Sequence, residues 1–118
     1  MSTYVITGAN RGIGLELCRQ LHQRGEVVVA LCRRPSAALE ALKVRVEEDI
    51  DVADDELVPR LRARLAGCPV DVLVNNAGIL TRETLEDLDF DRMRLQYEIN
   101  SLGPLRVTAA LLDNLHAG

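Results

Sequence analysis

The chain has 118 residues, enough for one hydrophobic core and too few for two, and its 47% apolar and 27% charged content excludes the disordered and fibrous classes. A net charge of −4 argues against a general nucleic-acid binder; no apolar run approaches the ~18 residues of a membrane span, and no secretory leader pattern opens the chain. Three cysteines, Cys18, Cys32 and Cys68, lack C-x-x-C spacing and suggest reduced thiols in the cytoplasm, while His22 and His116 are too few and too scattered to suggest a metal site.

Thr3-Tyr4-Val5-Ile6-Thr7 is short and β-rich, stops at Gly8, and is expected to form a buried strand. A helix is expected from about Gly12 to Arg24, with Ile13, Leu17 and Leu21 as its inner stripe and Gly25 ending it. Val27 to Leu31 is apolar throughout, as in a strand covered on both faces. Pro35-Ser36 starts a short helix through Leu42, and Val44-Arg45-Val46 resumes an extended pattern. In the next helix Asp54, Asp55 and Glu56 are placed in the first turn, Leu57, Leu61 and Leu65 make the stripe, and Gly67 closes the end. Val70 to Val74 reads as a further buried strand, and a long helical segment follows from about Asp89 to Leu115.

The order βαβαβαβα, with several strands apolar throughout, predicts a parallel sheet with helices on both faces. Right-handed crossovers make it half of a doubly wound, Rossmann-type fold, with about four strands in the order 3-2-1-4. With no repeat, low-complexity tract or linker in view, residues 1–118 are taken as a single domain.

Thr7-Gly8-Ala9-Asn10-Arg11-Gly12-Ile13-Gly14 falls between the first strand and the first helix. Glycines there permit a tight turn and close backbone approach to a phosphate, and the helix N-terminus offers unpaired N–H groups and a positive dipole end. A plain connecting turn is the alternative; its place, about 20 residues before the end of the second strand, favours dinucleotide binding. That strand ends in Leu31-Cys32-Arg33-Arg34, where a carboxylate would hold the ribose 2′-hydroxyl of NAD and an arginine suits a 2′-phosphate. No Asp or Glu is present there, so Arg33 and Arg34, with Arg11 in the turn, point to NADP over NAD, unless they are simply solvated loop residues. The first 34 residues hold five arginines against Glu16 and Glu26, a local surplus that suits a small anionic ligand.

Together, TGANRGIG at 7–14, Asp51-Val52, VNNAG at 74–78 and Asn100 in EINSLGP resemble the short-chain dehydrogenase/reductase family over the whole chain, as its N-terminal half. The surrounding wording (GANRGIGLEL, CRRP, NSLGPLRV) is most similar to the carbonyl-reductase-like branch that includes C-factor and sniffer proteins. The resemblance implies that Gly8, Gly12 and Gly14 line a pyrophosphate, with Asn10, Arg11 and Ile13 in the same turn. It implies that Asp51 by side chain and Val52 by backbone flank the adenine. Asn75, Ala77 and Gly78 would pass under the adenosine ribose, and Asn76 would brace the central strands. A strand-ending turn is the plainer account of Asn75-Asn76.

Pro104 lies four residues after Asn100 and cannot donate to its carbonyl, so a helix here must bend, with Gly103 easing it. In the family an Asn at such a kink holds a water that connects a catalytic Lys to solvent; a kink serving packing alone is the other possibility. The family's Ser and Tyr-x-x-x-Lys are not found: the only lysine, Lys43, has Leu39 four residues before it. The resemblance therefore implies the cofactor-binding half of an NADP(H)-dependent oxidoreductase acting on a small carbonyl or alcohol, inactive by itself. A dinucleotide-binding or signalling module without chemistry and a truncated product are the competing readings. Two further expectations follow, an open sheet edge at 70–74 and exposed Leu102, Leu105 and Leu112 on the last helix, the face through which the family forms homo-oligomers.

Overall fold

A computed structural model describes all residues from Met1 to Gly118. Four strands, β1 (Thr3–Thr7), β2 (Val27–Leu31), β3 (Arg45–Glu47) and β4 (Val72–Val74), form one sheet in the order β3-β2-β1-β4, every pair parallel. This is the expected half of a doubly wound sheet. β1 and β2 have the predicted limits, and they pair along their full length from Thr3 opposite Val27 to Thr7 opposite Leu31.

β2 is apolar throughout, and β1 between its terminal threonines, because each face of the sheet buries its own apolar cluster, two where the chain length predicts one. Val5, Val29 and Leu31 point to one side, where they meet Leu57, Leu61 and Leu65 of α3 (Leu57–Arg64, with Leu65 as its cap) and Val107 and Ala110 of α5 (Gly103–Ala110). Ile6, Val28 and Ala30 point to the other, against Cys18 and Leu21 of α1 (Gly12–Gln23) and Leu39 of α2 (Ala37–Ala41). Alternate residues of one strand thus serve opposite layers, as the pleat requires. Gly25 and Gly67 follow α1 and α3 with φ of +81° and +78°, the left-handed conformation that stops a helix.

Local differences from the sequence reading each have a physical reason. Ile13 is not part of the inner stripe of α1; it is 75% exposed, and Gly14, Cys18 and Leu21 face the sheet instead. The helix lies so close to β1 that only a glycine fits at its first inward position. Asp54, Asp55 and Glu56 precede α3 rather than forming its first turn, because the Asp54 carboxylate accepts the Glu56 N–H at 3.0 Å and closes a turn of its own. β4 begins at Val72, since the Val70 N–H is taken by the Asn114 carbonyl at 2.9 Å. Asn114 also donates from its side chain to the carbonyls of Leu65 and Cys68, which fastens the end of the chain beneath α3.

The long final helix is broken into four pieces. α4 (Phe90–Tyr97) leads into a π turn over Glu98–Leu102, then α5, then α6 (Leu112–Ala117). At the π turn the Gly103 N–H reaches the Glu98 carbonyl, one residue further back than in an α-helix. Pro104 supplies no N–H at this point, and Gly103 presses against Val52, where even a Cβ would stand 3.1 Å from the Val52 side chain. Asp89 caps α4 through the Arg92 N–H at 3.0 Å, but no residue of α4 is buried. β4 does lie at the end of the sheet order, and Leu105 and Leu112 are exposed as expected, whereas Leu102 is half-buried. No helix is long and apolar enough to cross a membrane.

Leu61 has no exposed surface and sits where α3 meets the sheet. Leu61→Ala is expected to lower the unfolding free energy by about 2–5 kcal/mol, read by urea denaturation of the purified chain.

Candidate dinucleotide site

A hollow of about 600 Å³ opens at the carboxyl ends of the strands, where a parallel sheet of this type binds its ligands. Its floor is the glycine turn. Gly8 and Gly12 have φ of +61° and +57°, and a Cβ on Gly8 would lie 2.9 Å from the Ala77 Cα. On Gly12 a Cβ would meet nothing within 4 Å, so that position is left bare beside open space. Gly14 is needed for packing, because a Cβ there would come within 2.3 Å of the Gly8 carbonyl oxygen. Arg11 takes the N-cap position of α1 without a side-chain hydrogen bond, so the first-turn N–H groups stay available to an anion.

Thr7 and Asn76 hold the turn against the end of β4. The Thr7 hydroxyl accepts the N–H groups of Asn76 and Ala77, both at 2.9 Å, and Asn76 Nδ2 donates to the carbonyls of Thr7 and Gly8 at 3.3 and 3.2 Å. Asn76 thus braces the central strands as anticipated. Thr7 ends β1 with a hydroxyl beside the glycine turn, the one sign in the sequence of this bracing role. Ser36 is a second such residue: it donates to the Asn10 carbonyl at 2.6 Å and caps α2 through the Leu39 N–H.

Around the rim, Cys32 and Arg33 follow β2, whose own residues end without an Asp or Glu; Glu47 of β3 pairs with Leu31 but does not line the hollow. Asp51, Val52 and Ala53 form a side wall, where the Asp51 carboxylate accepts the Ala53 N–H at 2.9 Å. Two arginines of α3 steady the corner before this wall: Arg60 donates to the Asp49 carbonyl at 3.1 Å and Arg64 to that of Glu48. Asp49 itself has a left-handed φ of +60°, so the corner needs such support. Ala77, Gly78 and Ile79 complete the wall opposite, with Leu95 and Ile99 beyond.

Of the residues singled out in the sequence, Gly8, Asn10, Arg11, Gly12, Arg33, Asp51, Val52, Ala77 and Gly78 face this one hollow. Others lie outside its lining. Ile13 points to solvent, and Gly14 is behind the turn. Arg34 is exposed and contributes its carbonyl to Asn10 Nδ2 at 3.3 Å, while Asn75 approaches the Thr108 hydroxyl at 3.5 Å. Asn100 acts on the wall from outside: its side chain accepts the Ile79 N–H at 2.9 Å and donates to the Ile79 carbonyl at 2.6 Å. Arg106, unnoticed in the sequence, ties the Asp51–Ala53 side to the π turn through bonds to Val52 and Glu98. No three His, Cys, Asp or Glu side chains are grouped to hold a metal.

Burial pushes the Cys18 thiol up to about 11, and the Cys32 thiol is raised for the same reason. Both are therefore neutral thiols, Cys18 behind the hollow and Cys32 at its rim, rather than reactive thiolates.

Comparison with known proteins places the chain in a family. The family described as short chain dehydrogenase matches residues 2–118. The 1-hydroxy-2-glutathionyl-2-methyl-3-butene dehydrogenase of Rhodococcus sp. (strain AD45) is 42% identical over 120 residues, covering all of this chain and 53% of that protein. An alcohol dehydrogenase from the archaeon Thermococcus sibiricus, complexed with 5-hydroxy-NADP, superposes with a TM-score of 0.83 at 33% identity, over 98% of this chain and 53% of that one. A short-chain dehydrogenase/reductase from Burkholderia multivorans with bound NADP gives 0.83 at 29% identity, over 96% and 53%. The chain thus spans about half the length of these relatives.

Thr7→Val keeps the shape of the side chain but removes the acceptor for two N–H groups, and is expected to cost about 1–3 kcal/mol in urea unfolding. The raised thiols give a pH dependence of defined sign. Between the ordinary thiol value of 9.0 and about 11, the folded chain keeps protons that the unfolded chain releases. The Cys18 contribution is complete below pH 9 and is lost as the pH rises through about 11, which Cys18→Ala flattens in an unfolding series.

Proposed function

The chain belongs to the short-chain dehydrogenase family, and on that premise we propose that it is the cofactor-holding part of an NADP(H)-dependent oxidoreductase that interconverts a carbonyl and an alcohol. One observation carries this reading: the uncapped start of α1 opens on a hollow left bare at Gly12, with Arg11 and Arg33 on its lining and no Asp or Glu among the residues that end β2. The residues present fit a dinucleotide phosphate; a side chain at Gly12 would project into the space such a group needs.

In this reading the N–H groups of Gly12, Ile13 and Gly14 hold the pyrophosphate, with Gly8 and Asn10 shaping the turn. Arg11 and Arg33 neutralise the 2′-phosphate of NADP, where NAD would want an acidic partner, and Arg34 serves the turn through its carbonyl. Asp51 accepts from the adenine amino group beside the Val52 backbone, and Ala77 and Gly78 support the adenosine ribose, with Asn75 turned toward Thr108 outside the hollow. When bound, the nicotinamide supplies the hydride. Asn100 has a double part: its side chain fixes Ile79, and its backbone carbonyl, to which Pro104 cannot donate, holds a water in the proton path. Within the family, the wording of the glycine turn and of NSLGPLRV supports the carbonyl-reductase-like branch.

Residues 1–118 contain no Tyr-x-x-x-Lys, so turnover is not expected from them alone. A module that binds the dinucleotide without chemistry is the second reading; Ser and Tyr-x-x-x-Lys encoded in the same reading frame decide for the enzyme. Leu105 and Leu112 support self-association of the complete enzyme through α5 and α6, in a cytoplasmic setting. The Rhodococcus relative makes a glutathionyl-bearing alcohol a first substrate to assay.

Fluorescence titration of the purified chain tests the cofactor. NADPH is expected to bind at least tenfold more tightly than NADH, since one charge-assisted hydrogen bond to phosphate contributes about 1.5–3 kcal/mol. Arg33→Asp is expected to remove most of that preference. Equal affinity for the two, or none for either, overturns the assignment.

A further inference from the structure

The guanidinium of Arg106, on α5, is the most heavily engaged side chain in the molecule outside the glycine turn, and the proposed reaction gives it no part. Only 11% of the side chain is exposed. Its Nε donates to the Asp55 carboxylate at 2.8 Å, and Nη1 donates to the carbonyl of Val52 at 3.0 Å and to that of Glu98 at 3.1 Å. Nη2 donates to the Glu98 carboxylate. Asp55 and Glu98 both hold the guanidinium in its charged form, above its ordinary pKa.

These partners belong to separate segments: the side wall after β3, the approach to α3, and the π turn. Two of the segments line the hollow directly, through Asp51, Val52 and Ala53 on one side and Ile99 on the other. The π turn also carries Asn100, which fixes the backbone of Ile79 on the opposite wall. The Glu98 carbonyl already accepts the Gly103 N–H that defines the wide turn, and Arg106 adds a second donor to the same oxygen. Gly103 lets α5 lie against Val52 closely enough for the guanidinium to reach both carbonyls. A fork of fixed N–H directions is suited to this set of acceptors; a lysine ammonium is a single point and cannot span them.

We propose that Arg106 is a positioning residue that fixes the distance between the two walls of the dinucleotide hollow, by locking the loop after β3 to the π turn. The proposal rests on the reading that the hollow takes a dinucleotide. Arg106 touches neither the ligand nor the reacting atoms; it acts through Val52 and through Glu98.

The test uses Arg106→Leu and Arg106→Lys in the full chain, with two readouts. The first is amide hydrogen exchange without ligand. Ala53 and Asp54 are expected to exchange at least tenfold faster in both variants, while Val5 and Ile6 in the centre of β1 keep their protection, which shows that the fold is intact. The second is NADPH affinity by fluorescence, measured well below the unfolding temperature. It is expected to weaken about tenfold in Arg106→Leu and less in Arg106→Lys. Unchanged exchange at Ala53 and Asp54, or a lower melting temperature with unchanged NADPH affinity, overturns the proposal and leaves Arg106 a packing residue. If the unsubstituted chain does not bind NADPH, the dinucleotide reading fails, and the exchange measurement still decides whether the lock exists.

Discussion

The first turn of α1 and the end of β1 approach so closely that no methyl group fits between Gly14 and the Gly8 carbonyl, and the remainder of the site is arranged around that contact. A larger residue at position 14 would lift the helix from the sheet and swing its N–H groups away from the hollow. The same proximity leaves little room beside Gly8, which is why Ala77 can follow β4 directly over it. Thr7 and Asn76 then secure the crossing by hydrogen bonds rather than by bulk, using a hydroxyl and an amide where an apolar side chain would have filled the hollow. The anion-binding character of the site is therefore a property of backbone placement; side chains only hold the backbone there.

A second layer of support comes from arginines that grip carbonyl oxygens. Arg60, Arg64 and Arg106 all reach the loop between β3 and α3, at Asp49, Glu48 and Val52 respectively. This loop has to turn through a left-handed Asp49 and still present Asp51 to the hollow. Its carbonyls would otherwise depend on water. Charged donors make stronger bonds to such oxygens than neutral ones, so a short helix with few buried residues can still anchor a functional wall. The arginines that bear on cofactor choice, Arg11 and Arg33, differ in kind: the guanidinium of neither is engaged in a hydrogen bond within the chain.

The sheet and the glycine turn were legible because each depends on local signals. Unbroken apolar runs marked β1 and β2, and TGANRGIG carried both the turn and the helix start. Legibility failed where long-range contact decides. Ile13 has the spacing of a core residue, yet the close approach of Gly14 rotates it outward. Arg106 reads as an ordinary solvent-facing charge on a helix, since its acceptors lie 8, 51 and 54 residues away. Gly103 and Pro104 announced that the last helix must bend, but not that it would widen into a π turn. The stretch from Leu80 to Leu88 has no period at all, and its one ordered element is a bridge between Thr84 and Asp87.

The π turn has a consequence for how this region tolerates change in length. A wide turn holds one residue more than the α-helical path between the same two ends, so the rotational phase of α5 relative to α4 is offset by about 100°. Deletion of Ser101 or Leu102 would remove the extra residue while leaving Asn100 and Gly103-Pro104 in the chain. It would nevertheless turn Asn100 from Ile79, or Val107 from the core, because the two cannot both stay in place on a regular spiral. Here the length of the segment is itself part of the geometry of the site.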